Sequence, residues 1–261
     1  MVENQNKILA IDVGNTNIHW GYMQDIKIQG EYIRNKHTEL SLMPWNEIKN
    51  QNCPVVIAGA LIHMNEAVQS IAKDYNIKFT EIDTTKQNTI KNTYPTLGID
   101  RICNLIGALK SFDNLKSPLV VFDFGTATTI TSCDQNGIFL GGMIKTGCET
   151  ELKAISSKTF SLPHVQLARE QRITKLNPLS QNTEDAVLHG VIIGQLALID
   201  YYLNIFKRET KLDPKVVFTG GNAPIISRFL DKKCALYDPH LTIKGIYHCY
   251  KANYLAKCVA Q

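Results

Sequence analysis

Long apolar runs are missing from this sequence. The longest unbroken one, VVIAGALI at 55–62, falls far short of the roughly 20 residues a membrane-spanning helix needs. The opening MVENQNKILA has no basic segment leading into an apolar core, so no secretory signal is expected and the cytoplasm is the expected location. Paired cysteines are missing too. The seven present (Cys53, Cys103, Cys133, Cys148, Cys234, Cys249 and Cys258) are odd in number, and no two are spaced C-x-x-C. That argues against a zinc site or a disulfide framework and fits free thiols in a reducing compartment. Clustered charge is scarce: the net +4 is spread along the chain, which leaves room for a small anionic ligand but not for a nucleic-acid footprint. There is no G-x-x-x-x-G-K-[ST], no G-x-S-x-G and no histidine pair at ligand spacing. These absences remove the P-loop, the hydrolase elbow and a histidine-based metal site.

What is present is the make-up of a folded α/β protein, 44% hydrophobic and 20% charged over 261 residues. KILAIDV, NIHWGYM and IKIQGEYI read as three successive strands joined by tight turns. PVVIAGA at 54–60 reads as a buried strand, followed by a helix near 63–75 and the strand IKFTEID; after a polar loop, a helix starts close to Gly98. The pattern then restarts. PLVVFDFGTATTITSCDQNGIFLGGMI at 118–144 predicts a strand, a glycine turn, a second strand, a hairpin turn at Asn136-Gly137 and a third strand. Helices are expected near 146–158 and 182–207, then a strand VVFTGG at 216–221, a short helix NAPIISRFL and a C-terminal helix after DPHLTIKG. The turn DVGNT at Asp12 and the turn DFGTA at Asp123 are one device used twice, 111 positions apart. Such a duplication implies two similar α/β domains, 1–117 and 118–261, flanking a cleft.

A strand–turn–strand of the form D-x-G-x-T suits phosphate. The glycine lets backbone approach a ligand so that successive N–H groups can point at its oxygens. Asn15 and Thr16 add short-reach polar groups, and Asp12 at the strand end is placed to hold Mg²⁺ against the same oxygens. Asp, Gly and Asn are also ordinary hairpin residues, so one such turn says little. Two in matching context say more, and Gly220-Gly221 after VVFT offers bare backbone for a nucleobase or ribose. Tyr201, Tyr202 and the apolar positions of 186–206 recur at helical spacing and read as a core or dimer face.

In order and spacing, DVGNTNI, YPTLGIDR, VVFDFGTATTI with GGMI, NTEDA and FTGGNAP resemble the type III pantothenate kinases, members of the actin-like ATPase superfamily with its duplicated ribonuclease H-like fold. The resemblance runs from about Ile8 into the C-terminal helix. It implies ATP-dependent phosphorylation of pantothenate to 4'-phosphopantothenate, the first step towards coenzyme A, by a homodimer with no nucleic-acid or membrane partner. By the same resemblance, Asp12, Val13, Gly14, Asn15, Thr16, Asn17, Ile18 and His19 match the first phosphate loop. Thr126 matches the ATP-contacting threonine of the second loop, and Gly220 and Gly221 the adenosine motif. Asp123 matches the ligand of a monovalent cation, K⁺ or NH₄⁺, while Asp12 is assigned to Mg²⁺. Tyr94, Gly98, Ile99, Asp100 and Arg101, completed by Thr183, match the pantothenate-contacting set, with Asp100 as catalytic base.

The residue chemistry is consistent with those roles. Phosphoryl transfer needs positioned phosphates, charge neutralisation and a late proton acceptor, and a guanidinium such as that of Arg101 matches a carboxylate. Asp100 in the first turn of a helix is also favoured there by the helix dipole alone. Two departures from the family pattern stand out. Thr146 occupies a position where proline is expected, which predicts a looser loop, and His19 stands where a lysine or arginine is common. The alternative is a non-catalytic family member acting as a transcriptional accessory factor, against which Asp12, Asp100, Arg101 and Asp123 all survive. A nuclease of the ribonuclease H type would need several carboxylates converging on two metals, where these turns supply glycines and hydroxyls.

Overall fold

Strand β1 (Lys7–Val13) is covered on both faces, with Ile8, Leu9, Ala10 and Ile11 fully buried, which explains why its sequence is a continuous apolar run rather than an alternating one. The computed structural model describes residues 7–25, 27–167, 173–230 and 235–252; Cys234 and Cys258 lie outside them. Strand β2 (Asn17–Gln24) runs antiparallel to β1, with Asp12 opposite His19, and β3 (Lys27–Lys36) pairs antiparallel with β2. Asp25 turns the chain between them at a φ of 47°, a conformation that Asp and Asn tolerate better than most residues.

A 3₁₀ turn, His37–Leu42, and the short helix α1 (Trp45–Asn50) follow; neither shows in the hydrophobic periodicity, because each is too short to display it. Then come β4 (Val55–Gly59), α2 (Ile62–Asp74), β5 (Phe79–Glu81) and α3 (Ile99–Lys110). β4 lies parallel to β1 and β5 parallel to β4. Strand β5 is shorter than IKFTEID suggests. The second series is β6 (Leu119–Phe124), β7 (Ala127–Cys133), β8 (Phe139–Thr146), α4 (Cys148–Lys158), α5 (Thr183–Thr210), β9 (Lys215–Thr219), α6 (Ala223–Ser227), β10 (Leu236–Tyr237) and α7 (Leu241–Tyr250).

Two five-stranded sheets result, ordered β3-β2-β1-β4-β5 and β10-β9-β6-β7-β8. Read from the other edge, the second order is β8-β7-β6-β9-β10, so each strand has its counterpart and the duplication expected from the two turns is a duplication of topology. Each sheet has its own core. Leu9, Ile11, Ile18, Trp20, Val55, Ile57 and Val68 fill one, and Phe122, Phe124, Ile130, Ile192, Ile199 and Phe218 the other. Burial of such a side chain contributes about 1.5–3 kcal/mol relative to exposure.

The chain does not divide at one point near Ser117. Among the described residues, those within 7–115, 133–139 and 240–252 form one compact unit and those within 116–132 and 140–239 the other. Helix α7 belongs to the first unit because its backbone meets that of α3. A Cβ on Gly245 would fall 1.9 Å from the Cys103 carbonyl oxygen, and one on Gly107 would fall 2.4 Å from that of Leu241. Thr242 also donates to Asn104 Oδ1 at 2.8 Å. The 28 residues of α5 are long and apolar enough to cross a membrane by length and composition. One side of that helix, with Leu188, Val191, Ile192, Ile199 and Phe206, is packed into the second core.

Candidate active site

In the first unit, β1 delivers Asp12 to the carboxyl end of the sheet, and three residues, Gly14 to Thr16, return the chain into β2. Gly14 N–H donates to Asn17 O at 3.0 Å and closes the turn, leaving Asn15 and Thr16 exposed at its tip. The cross-strand register sets His19 against Asp12, with Nδ1 3.6 Å from a carboxylate oxygen. Val13 and Ile18 flank the turn from within the core.

The segment from Tyr94 to Arg101 enters the same unit. A turn closed by Leu97 N–H donating to Tyr94 O at 3.0 Å leads to Gly98, the N-cap of α3. A Cβ at Gly98 would stand 2.4 Å from Asp100 Oδ1, so glycine leaves the space that this carboxyl occupies. Burial raises the pKa of Asp100, and the negative charge of Asp12 raises it further, while the Arg101 backbone N–H and guanidinium act the other way. The two carboxylates therefore lie close enough to feel one another. Arg101 is itself buried, at 4% exposure, and donates from Nη1 to the Tyr94 hydroxyl at 2.8 Å. Ile99 packs inward beside them. One turn along α3, Cys103 is fully enclosed; burial first, then Cys249, Asp12 and Asp100, push its thiol far above its usual pKa, which keeps it inert.

In the second unit, Asp123 near the end of β6 and Thr126 in the following turn are arranged differently. Gly125 N–H donates to Ala127 O at 3.1 Å, and the Thr126 carbonyl accepts from Gly147 N–H at 3.0 Å and from Thr150 Oγ1 at 2.7 Å. Gly220, at a φ of 90°, lies against this turn; a Cβ there would fall 2.4 Å from Asp123 Oδ1 and 2.6 Å from Phe124 N. Gly221 beside it is exposed. Thr183 is the first residue of α5 in the same unit, and the Asn182 side chain caps that helix by accepting from Asp185 N–H at 2.9 Å.

The residues read from sequence thus fall into two groups. Asp12–His19, Tyr94 and Gly98–Arg101 gather in the first unit, and Asp123, Thr126, Thr183, Gly220 and Gly221 belong to the second. Thr146 ends strand β8, and its carbonyl accepts from the buried amide of Gln195 at 3.0 Å. Two residues escaped the sequence reading. His37 Nε2 lies 2.9 Å from Gly14 O, and Phe139 packs edge-on against Tyr94 with ring centroids 5.7 Å apart. Neither belongs to a motif; pairing of distant segments brings each in.

Among the described residues no group of three or more His, Cys, Asp or Glu could hold a metal ion by itself. One carboxylate completed by phosphate oxygens is nevertheless how Mg²⁺ is commonly held. Asp12, with the like charge of Asp100 nearby, offers the oxygen chemistry such a cation takes.

A model of the type III pantothenate kinase family matches residues 8–204. A type III pantothenate kinase of Bifidobacterium animalis subsp. lactis is 33% identical over 267 residues, covering 94% of this chain and 99% of the relative. One from Agathobacter rectalis is 30% identical, covering 94% and 96%. In fold, the chain resembles the crystal structure of the ethanolamine utilization protein EutJ from Carboxydothermus hydrogenoformans. That match has a TM-score of 0.54 at 15% identity and covers 93% of this chain and 89% of the other. Two sheets of matching strand order carry this architecture, the duplicated fold of the actin-like ATPases. With the family model spanning most of its length and relatives matched almost end to end, the chain belongs to the type III pantothenate kinase family.

Proposed function

We propose that this chain phosphorylates the primary hydroxyl of pantothenate with ATP, giving 4'-phosphopantothenate for coenzyme A synthesis, and that Asp100 accepts the hydroxyl proton. The observation that carries the residue assignment is the half-buried Asp100 carboxyl at the start of α3, whose pKa is raised by burial and by the charge of Asp12 and lowered by Arg101. A carboxylate with a raised pKa is the better proton acceptor, and a base is most effective when its pKa approaches the operating pH. Arg101, oriented by the Tyr94 hydroxyl, is assigned to the carboxylate of pantothenate, with Gly98 and Ile99 beside it; Thr183 is assigned to the same substrate by the family pattern.

The Asp12–His19 turn takes the ATP phosphates on backbone N–H groups, as successive turn amides do for anions. Thr126 contacts the nucleotide from the second turn, and Gly220-Gly221 supply bare backbone to adenosine. Mg²⁺ bound with ATP at Asp12 neutralises phosphate charge. We assign a monovalent cation, K⁺ or NH₄⁺, to Asp123, whose Oδ1 faces the unsubstituted Gly220. The active form in this reading is a homodimer. Leu140, Met143 and Ile144 on β8 and Tyr201 on α5 are exposed apolar side chains of the second unit, suited to a second copy rather than to a lipid or nucleic-acid surface. The five described cysteines are buried and form no disulfide among the described residues, consistent with a cytoplasmic location.

The test is direct. Purified protein with ATP, Mg²⁺, K⁺ and pantothenate forms 4'-phosphopantothenate, and Asp100→Asn loses roughly 10²–10⁴-fold in kcat, the usual worth of a general base, while still binding ATP. No product from the unaltered protein at saturating substrates overturns the assignment.

A further inference from the structure

We propose that His37 is a positioning residue that aims the first turn at the phosphates of ATP; this rests on the reading above that the Asp12–His19 turn binds those phosphates. The turn is only three residues long, and Gly14 N–H donating to Asn17 O at 3.0 Å closes it. That bond uses the N–H of Gly14 and not the next peptide group, Gly14 C=O with Asn15 N–H. The imidazole of His37 engages that group: its Nε2 stands 2.9 Å from Gly14 O. A carbonyl can only accept, so Nε2 carries the hydrogen, which fixes the tautomer.

The consequence follows from peptide planarity. C=O and N–H of one trans peptide point in opposite directions. Holding Gly14 O against His37 therefore turns Asn15 N–H the other way, at the exposed tip of the turn. It also ties down a carbonyl whose negative end would repel an approaching phosphate. The bond serves in the neutral and the protonated ring alike, because Nε2–H is present in both.

His37 is itself firmly seated. Pairing of Asn17 with Lys36 brings the end of β3 beside the turn. Glu39 accepts from Lys36 N–H at 2.9 Å and from Asn35 Nδ2 at 3.3 Å, and Asn35 Oδ1 accepts from Trp20 Nε1 at 2.8 Å. Trp20 is a core residue at 4% exposure. A chain of hydrogen bonds thus runs from the first core to the 3₁₀ turn that presents the imidazole.

The experiment compares His37→Ala, His37→Gln and Asn15→Pro by calorimetric Kd for Mg-ATP, KM for pantothenate and Tm. His37→Ala is expected to weaken ATP binding about three- to tenfold, the worth of one hydrogen bond, with KM for pantothenate unchanged. His37→Gln, whose amide can donate to the same carbonyl, is expected to restore ATP binding to within twofold. The proposal is overturned if His37→Ala leaves ATP binding intact, if both substrates weaken together, or if glutamine fails to rescue. Asn15→Pro deletes the N–H in question. If it weakens ATP binding while His37→Ala does not, only the positioning role fails; if folded Asn15→Pro binds ATP normally, the phosphate reading of the turn fails with it.

Discussion

The turns after β1 and β6 begin from the same D-x-G pattern and are held in opposite ways. The first is held by side chains: His19 stands against Asp12, His37 against Gly14 O, and Asp100 comes up from α3. The second is held largely by backbone. Gly147 N–H donates to the Thr126 carbonyl, with the Thr150 hydroxyl beside it, and Gly220 lies so close that no side chain fits between it and Asp123. The difference teaches that duplication preserved the turn while the surroundings were divided. The first copy is surrounded by groups that can exchange protons, and the second by a tight glycine frame that fixes shape.

The frame is the more fragile of the two, and Gly220→Ala tests this most severely. A Cβ 2.6 Å from Phe124 N at a φ of 90° combines backbone strain with overpacking, so a loss of roughly 3 kcal/mol or more is expected. Gly14→Ala, where the Cβ meets only Asn17 O at 3.2 Å, is expected to cost no more than about 1 kcal/mol. Denaturant unfolding of the two variants measures the contrast directly, and equal losses would break it.

A smaller effect of opposite sign is expected at Asp100. Its pKa is raised in the folded protein by burial and by Asp12, so the folded state favours the protonated carboxyl. The associated stability is complete below the unfolded carboxylate pKa of about 4 and is lost as pH climbs through the raised folded value. Asparagine cannot ionise. Asp100→Asn is therefore expected to be more stable than the unaltered protein at pH 7–8, by about 0.5–2 kcal/mol as such replacements commonly give, with the difference vanishing near pH 4. Thermal melts across that range check it. A variant that loses turnover and gains stability is what a functional carboxylate held at a structural cost looks like.

The smallest change is expected at His19. Its contact with Asp12 is long, at 3.6 Å, and the imidazole is 28% exposed. His19→Ala should shift stability by less than about 1 kcal/mol. A larger shift would mean that the first turn, too, depends on a rigid frame.

Much of this molecule is legible in its sequence. The apolar strands, the two glycine turns and the start of α3 at Gly98 are local features, written in residue types a few positions apart. Short elements escaped: the 3₁₀ turn at His37–Leu42 and helix α1 span too few residues to show a period. The cut near Ser117 missed the return of α7, because Gly107 and Gly245 are uninformative until they are found back to back. In the candidate site, motif residues could be named singly, whereas His37 and Phe139 belong to no motif at all.

Sequence alone determined the element types, the repeated turn and the residues that can carry phosphate chemistry, since periodicity and turn stereochemistry act over a few residues. Only the tertiary structure decided which groups meet. Strand pairing set His19 on Asp12 and carried His37 to Gly14, and the first unit brought a half-buried Asp100 within reach of the charge of Asp12. Proximity between residues far apart in the chain is a product of folding, and the pKa of a carboxyl depends on the burial and neighbouring charge that only folding supplies.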